Sequence, residues 1–243
     1  HNITNYVVMN NTANALLSIG ASPVMAHAIE EVKEMVSISS SLVINMGTLD
    51  QAWLKAMLSA GRTAKEKNIP VIFDPVGVGA TPYRNQAAKE IIETCLPDII
   101  RGNASEINSL VQENSKTKGV DSVLDTKSVL DNAKKLAKNL NTIVAISGEI
   151  DFITNGNEHI AIYNGSSLMP KVTGMGCTAT TTIAAFSAVN KDYFLAAAHA
   201  MAIMGITGEI ASEKSIGPAS LQSIFLDTLY NLTLQDIENT LKT

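Results

Sequence analysis

The sequence predicts an α/β fold: a mainly parallel central sheet flanked by helices, formed as one domain over residues 1–243. Three observations predict it. Short apolar runs of strand length alternate with stretches of helical periodicity, the mark of stacked βα units. The 243 residues are 46% hydrophobic, enough to bury one large core. No internal repeat occurs, and the one linker-like stretch, Asn114 to Asp125, is too short to separate two domains.

The elements follow in order. Ser41 to Met46 reads as a buried strand, and Gln51 to Lys67 as a helix that Asn68 stops. Pro70 to Phe73 is the next strand, ending at Asp74. Gln86 to Cys95 is helical and Asp98 to Arg101 is a short strand. A helix then starts at Asn103, whose side chain suits an N-cap, with Glu106 three residues on as the capping-box acid. Lys127 to Leu140 is a helix and Thr142 to Ser147 a strand. Asp151 to Thr154 and His159 to Tyr163 flank Asn155-Gly156, a pair that suits a type I′ hairpin turn. Cys177 to Val189, Tyr193 to Glu213 and Pro218 to Leu232 are apolar enough to be packed helices. The chain opens at His1 inside what reads as an element, so further residues are expected upstream.

Composition excludes several classes. A net charge of −5, no basic block and 5% aromatic residues leave no nucleic-acid footprint. No apolar run reaches the roughly 18 uninterrupted residues of a membrane span, so no membrane partner is expected. Cys95 and Cys177 sit far apart in unlike settings, which argues against a disulfide and for a cytoplasmic location. Charged residues make up only 17% of the chain, which is compatible with surface buried between subunits.

Ligands of an open parallel sheet bind at the carboxyl ends of its strands. Four clusters fall at such ends. In Asp74-Pro75-Val76-Gly77-Val78-Gly79-Ala80 an acid leaves the strand and glycines follow, so Asp74 suits Mg²⁺ and the glycines suit a close phosphate. The competing reading is a plain βα turn. In Arg101-Gly102-Asn103-Ala104-Ser105-Glu106, Arg101 suits a phosphate clamp and Glu106 a second metal-linked carboxylate; capping alone also explains Glu106. Ser147-Gly148-Glu149 offers a hydroxyl for a nucleotide phosphate or simply ends a strand. In Lys171-Val172-Thr173-Gly174-Met175-Gly176-Cys177-Thr178 two glycines open a helix, where backbone N–H groups and the helix dipole favour an anion. Cys177 falls in that first turn, where the dipole is expected to lower a thiol's pKa; the plainer reading is a buried, inert thiol. Cys95 and Trp53 read as packing.

There is no Walker A loop, no Rossmann fingerprint and no nucleophile elbow. None of the four histidines is spaced for zinc.

Taken in order along nearly the whole chain, these clusters resemble the hydroxyethylthiazole kinase family of the ribokinase-like kinases. The resemblance rests on Ile3-Thr4-Asn5-Tyr6-Val7, Gly20-Ala21-Ser22-Pro23-Val24-Met25, Asn45-Met46-Gly47-Thr48-Leu49, the Asp74 and Arg101 clusters, and Thr173-Gly174-Met175-Gly176-Cys177. Related kinases place an Asp after the last Gly-x-Gly, whereas thiazole kinases place a Cys, here Cys177. The resemblance implies ATP-dependent phosphorylation of 4-methyl-5-(2-hydroxyethyl)thiazole in thiamine synthesis or salvage. It implies Mg²⁺ handled by Asp74 and Glu106, ATP phosphates touched by Arg101 and Ser147, and Cys177 assisting at the alcohol. It further implies Gly174 lining the alcohol, Met25 and Asn5 contacting the thiazole, and a homotrimer with sites between subunits. Met175 departs from the family pattern, in which Thr is usual between the two glycines. A hydroxymethylpyrimidine or sugar kinase, a covalent or redox cysteine enzyme, and a non-catalytic nucleotide sensor are the rival readings.

Overall fold

The structure is a computed structural model, and it describes residues 1–114 and 126–242. Its centre is one seven-stranded sheet whose spatial order is the chain order. The strands are β1 (Asn2–Ile3), β2 (Leu42–Asn45), β3 (Val71–Asp74), β4 (Ile99–Asn103), β5 (Ile143–Ser147), β6 (Asp151–Thr154) and β7 (His159–Ile162). The first five run parallel, and β5, β6 and β7 pair antiparallel.

The period-2 alternation of side chains divides the core into two layers. Leu42, Ile44, Val71, Phe73, Ile100, Val144 and Ile146 face one layer, built with α2 (Val32–Ser37), α3 (Gln51–Glu66), α4 (Pro82–Cys95), α5 (Ala104–Asn114) and α6 (Thr126–Leu140). Val43, Ile72, Ile99 and Ala145 face the other, built with α1 (Met9–Ser18), α7 (Met175–Val189), α8 (Tyr193–Glu213) and α9 (Pro218–Asn231). Strands covered on both faces must be apolar throughout, which is why they read as continuous apolar runs. A final helix, α10 (Leu234–Thr240), closes the chain.

Local chemistry sets the boundaries. Asn68 adopts a left-handed φ of 55°, ending α3 where expected. The Asn103 side chain accepts from the Glu106 N–H, and Glu106 accepts from the Asn103 N–H, both at 2.9 Å, so the capping box is closed. α4 begins four residues earlier than expected, because Thr81 caps it and Pro82 pre-sets its first turn. Trp53 and Cys95 are buried as packing residues, and burial raises the Cys95 thiol to about 12.

One expectation is corrected. The β6–β7 connection is not a type I′ turn, which needs positive φ at both central residues. Thr154 pairs with His159, and of the connecting residues only Gly156 has positive φ. The Asn155 side chain instead accepts from the N–H groups of Asn157 and Glu158. α8 is long and apolar enough, by length and composition, to cross a membrane, but His199, Thr207 and Glu209 interrupt its apolar run, and most of its apolar length is buried in the second core layer. The linker-like stretch lies outside the described residues, apart from Asn114 at the end of α5.

Candidate active site

Parallel register places the carboxyl ends of four strands side by side. Asn45, the last residue of β2, pairs with Asp74, the last of β3. Asn103 at the end of β4 pairs with Ser147 at the end of β5. α7 begins over this edge and packs on β2 and β3, and its first turn also meets Arg101 on β4.

Asn45 organises one half of the site. Its Nδ2 donates to Asp74 Oδ2 at 2.9 Å and to Cys177 Sγ at 3.2 Å. Its Oδ1 accepts from Asn5 Nδ2 at 2.9 Å and from the Gly47 N–H at 3.0 Å. The Gly47 donor settles which way the amide faces. Asn5 Nδ2 also reaches Cys177 Sγ at 3.6 Å. Two amides therefore donate to the sulfur, leaving the S–H free to point elsewhere.

Asp74 is fully buried, and Thr180 Oγ1 donates to its Oδ2 at 2.8 Å. Its Oδ1 is buried without a hydrogen-bond partner. Burial raises its pKa to about 6, against the opposing pull of the Arg101 charge. For Cys177, burial and then the Asp74 charge push the thiol up to about 11. The expectation of a dipole-lowered thiol is thus corrected: desolvation and a neighbouring carboxylate outweigh the helix end, and Cys177 is neutral at pH 7.

The other half centres on Arg101, which is buried on β4 and donates through Nη2 to Ser147 Oγ. Its Nε is buried and unpartnered. Gly176 lies directly under the guanidinium, for a Cβ there would sit 2.4 Å from Nη1. Glu106 accepts from the Gly77 N–H at 2.9 Å through Oε1 and from Asn103 through Oε2, tying the glycine loop after β3 to α5. Each carboxylate oxygen keeps a further lone pair.

Gly174 caps α7 with φ 87°, a conformation natural to glycine. Its carbonyl takes the Thr178 N–H at 2.8 Å, so the amides of Met175, Gly176 and Cys177 are the orphan donors of the first turn. The structure brings together Asn5, Asp74, Arg101, Glu106, Ser147, Gly174 and Cys177. Met25 stands apart: it is half-buried beyond Val24, whose carbonyl accepts from the Asn2 N–H on β1, and it takes no part in the network. Of this network, Thr180 was not read from the sequence, and Asn45 was read only as the head of a family-like stretch, with no role assigned. Asn45 carried a usable signal, as a polar residue directly after the apolar stretch Leu42 to Ile44.

A divalent metal fits the donor set. The orphaned Asp74 Oδ1 needs a partner, and Mg²⁺ takes one or two carboxylates, completing its shell with water and phosphate.

Comparison with known proteins identifies the family. The model of the hydroxyethylthiazole kinase family matches residues 1–235. A hydroxyethylthiazole kinase of Syntrophus aciditrophicus is 54% identical over 243 residues, covering 100% of this chain and 90% of its own. One from Leptospira biflexa is 53% identical over 241 residues, covering 99% and 90%. The solved hydroxyethylthiazole kinase protein of Pyrococcus horikoshii OT3 superposes with a TM-score of 0.93 at 39% identity, covering 100% of this chain and 91% of that one. A Staphylococcus aureus pyridoxal kinase, at 16% identity and a TM-score of 0.64 over 83% of this chain and 82% of its own, shares the ribokinase-like fold. The chain belongs to the hydroxyethylthiazole kinase family.

Proposed function

We propose that this kinase transfers the terminal phosphoryl group of ATP to the hydroxyl of 4-methyl-5-(2-hydroxyethyl)thiazole, serving thiamine synthesis or salvage. One observation carries the reading. The orphan amides opening α7 stand beside Arg101, Asp74 and Cys177, which suits a migrating phosphoryl group between a nucleotide and an alcohol.

In this reading Arg101 and Ser147 bind the ATP phosphates, and the amides of residues 175–177 accept charge as it develops on the transferred group. Asp74 and Glu106 hold Mg²⁺, which when bound neutralises phosphate charge. Gly174 leaves room for the alcohol, while Asn5 and Met25 contact the thiazole. The neutral Cys177 thiol orients the hydroxyl rather than removing its proton, since a loose phosphoryl transition state asks little of a base. One continuous sheet supplies the named strand-end groups, which supports a single catalytic domain. Exposed Tyr6 and Val7, next to Asn5, support a homotrimer with sites between subunits. The two unpaired cysteines support a cytoplasmic enzyme.

The test is ADP release by the purified protein with ATP and Mg²⁺. Release is expected to depend on the thiazole alcohol. Equal or faster turnover of hydroxymethylpyrimidine would favour the alternative small-alcohol kinase, and no alcohol dependence at all would reject the reading.

A further inference from the structure

The geometry points to Arg84 as a positioning residue that locks the two site loops of this kinase together, an inference that rests on the function proposed above. Arg84 sits in the first turn of α4, where its N–H donates to the cap Thr81 Oγ1 at 3.2 Å. A cation in the first turn opposes the helix dipole. Among the described residues no carboxylate lies within ion-pairing distance of it. A residue that breaks a local rule without an obvious counter-charge calls for another partner.

That partner is backbone. Nη1 donates to the carbonyl of Met46 at 2.5 Å and to that of Val76 at 2.6 Å, and Nη2 donates to the carbonyl of Gly47 at 2.5 Å. Met46 and Gly47 follow β2, directly after Asn45; Val76 follows β3, two residues after Asp74. The side chain passes under Gly77, where a Cβ would stand 3.4 Å from Arg84 Cδ. Asn85 adds a bond from the Gly79 N–H to its Oδ1 at 2.7 Å. The Gly47 N–H fixes the Asn45 amide, and the Gly77 N–H reaches Glu106. One guanidinium thus couples the loop that orients Asn5, Asn45 and Cys177 to the loop that joins Asp74 with Glu106. A planar fork with several donors can reach three carbonyls at once; a lysine ammonium is a single point on a flexible stem.

Arg101 and Ser147 are held separately by β4 and β5, so the loss should fall mainly on the alcohol side. For Arg84→Ala, kcat/KM for the thiazole alcohol should drop about 100-fold, the scale set by an ångström of misplacement, with a smaller rise in KM for ATP passed on through the loop that joins Asp74 with Glu106. Millimolar guanidinium should restore much of the activity; it is far too dilute to change folding stability and would leave a mere folding defect unrelieved. Arg84→Lys should recover little. In amide exchange, residues 46–48 and 76–79 of Arg84→Ala should open faster than in wild type. A kcat/KM within about threefold of wild type, a loss that guanidinium does not relieve, or unchanged exchange in both loops would overturn the proposal. If wild-type protein turns over no alcohol, the kinase reading fails, and the exchange comparison alone still decides whether Arg84 locks the loops.

Discussion

At the scale of single residues, Asn45 matters more than the cysteine it touches. Cys177 is a neutral thiol whose sulfur accepts from two amides, so its removal takes away an orienting contact and no charge. Asn45 is buried and holds both Cys177 and Asp74. Removing it leaves two groups short of a donor, each worth about 1–3 kcal/mol. Cys177→Ala should therefore keep measurable activity, falling about tenfold or less. Asn45→Ala should fall further, by roughly 30-fold or more in kcat. Steady-state kinetics on the two variants checks the order, and a reversed order would return the central role to the thiol. The same thiol state is visible in alkylation: Cys177 should label slowly near pH 7, with the rate rising about tenfold per pH unit until the pH nears its pKa.

At the scale of elements, the start of α7 separates two glycines that look alike in sequence. Gly174 has φ 87° and a Cβ there would meet Val8 Cγ1 at 2.8 Å, so Gly174→Ala strains backbone and packing together. A left-handed residue with a side chain costs about 1–2 kcal/mol before any clash. Gly176 is helical, and the three atoms nearest a Cβ there all belong to the end of the Arg101 side chain. Gly176→Ala should leave the melting temperature unchanged or raised, because alanine is the better helix former. It should raise KM for ATP about tenfold or more by displacing a charged donor. Gly174→Ala should instead lower the melting temperature. Thermal melts and ATP titrations on both variants distinguish the roles. The glycine pair itself was legible in the sequence, as were the strand ends at Asp74 and Ser147 and the cap at Asn103, because each is a local signal. The assignment of each glycine was not, since it depends on Val8 and on Arg101 from other segments. Thr180 and Arg84 were illegible for the same reason: a threonine in a helical run and an arginine after Thr81-Pro82 acquire meaning only when β2, β3 and α7 meet. α1 and α10, short and capped weakly or late in the chain, gave no periodic pattern strong enough to separate them from loop.

For the whole molecule, the site sets how stability varies with pH. Asp74 carries a folded pKa of about 6 against an ordinary value of 3.8. Between those values the folded state holds a proton that the unfolded state has released. The contribution of Asp74 to stability therefore falls as pH rises from about 4 to about 6 and stays level above that. Asp151, whose pKa burial also raises to about 6, adds to the same trend with a smaller weight because it is partly exposed. Glu209 acts in the opposite sense: hydrogen bonds from Lys242 and Asn164 outweigh its desolvation and lower its pKa, so its contribution is lost only as the medium becomes more acidic. Through Asp74 and Asp151, the folded protein without nucleotide or metal should thus lose stability between about pH 4 and pH 6. Asp74→Asn removes the buried charge while its Oδ1 can still accept from Asn45 and Thr180; the amide N–H placed at the orphan position offsets part of the gain. The variant should be about 1–2 kcal/mol more stable than wild type at pH 7.5 and nearly equal to it at pH 4.5. Its phosphoryl transfer should be largely lost. Denaturant titrations at the two pH values, beside the ADP assay, test this exchange of stability for activity. A variant that is less stable at both pH values would show that Asp74 is a structural acid, and that its burial does not oppose folding.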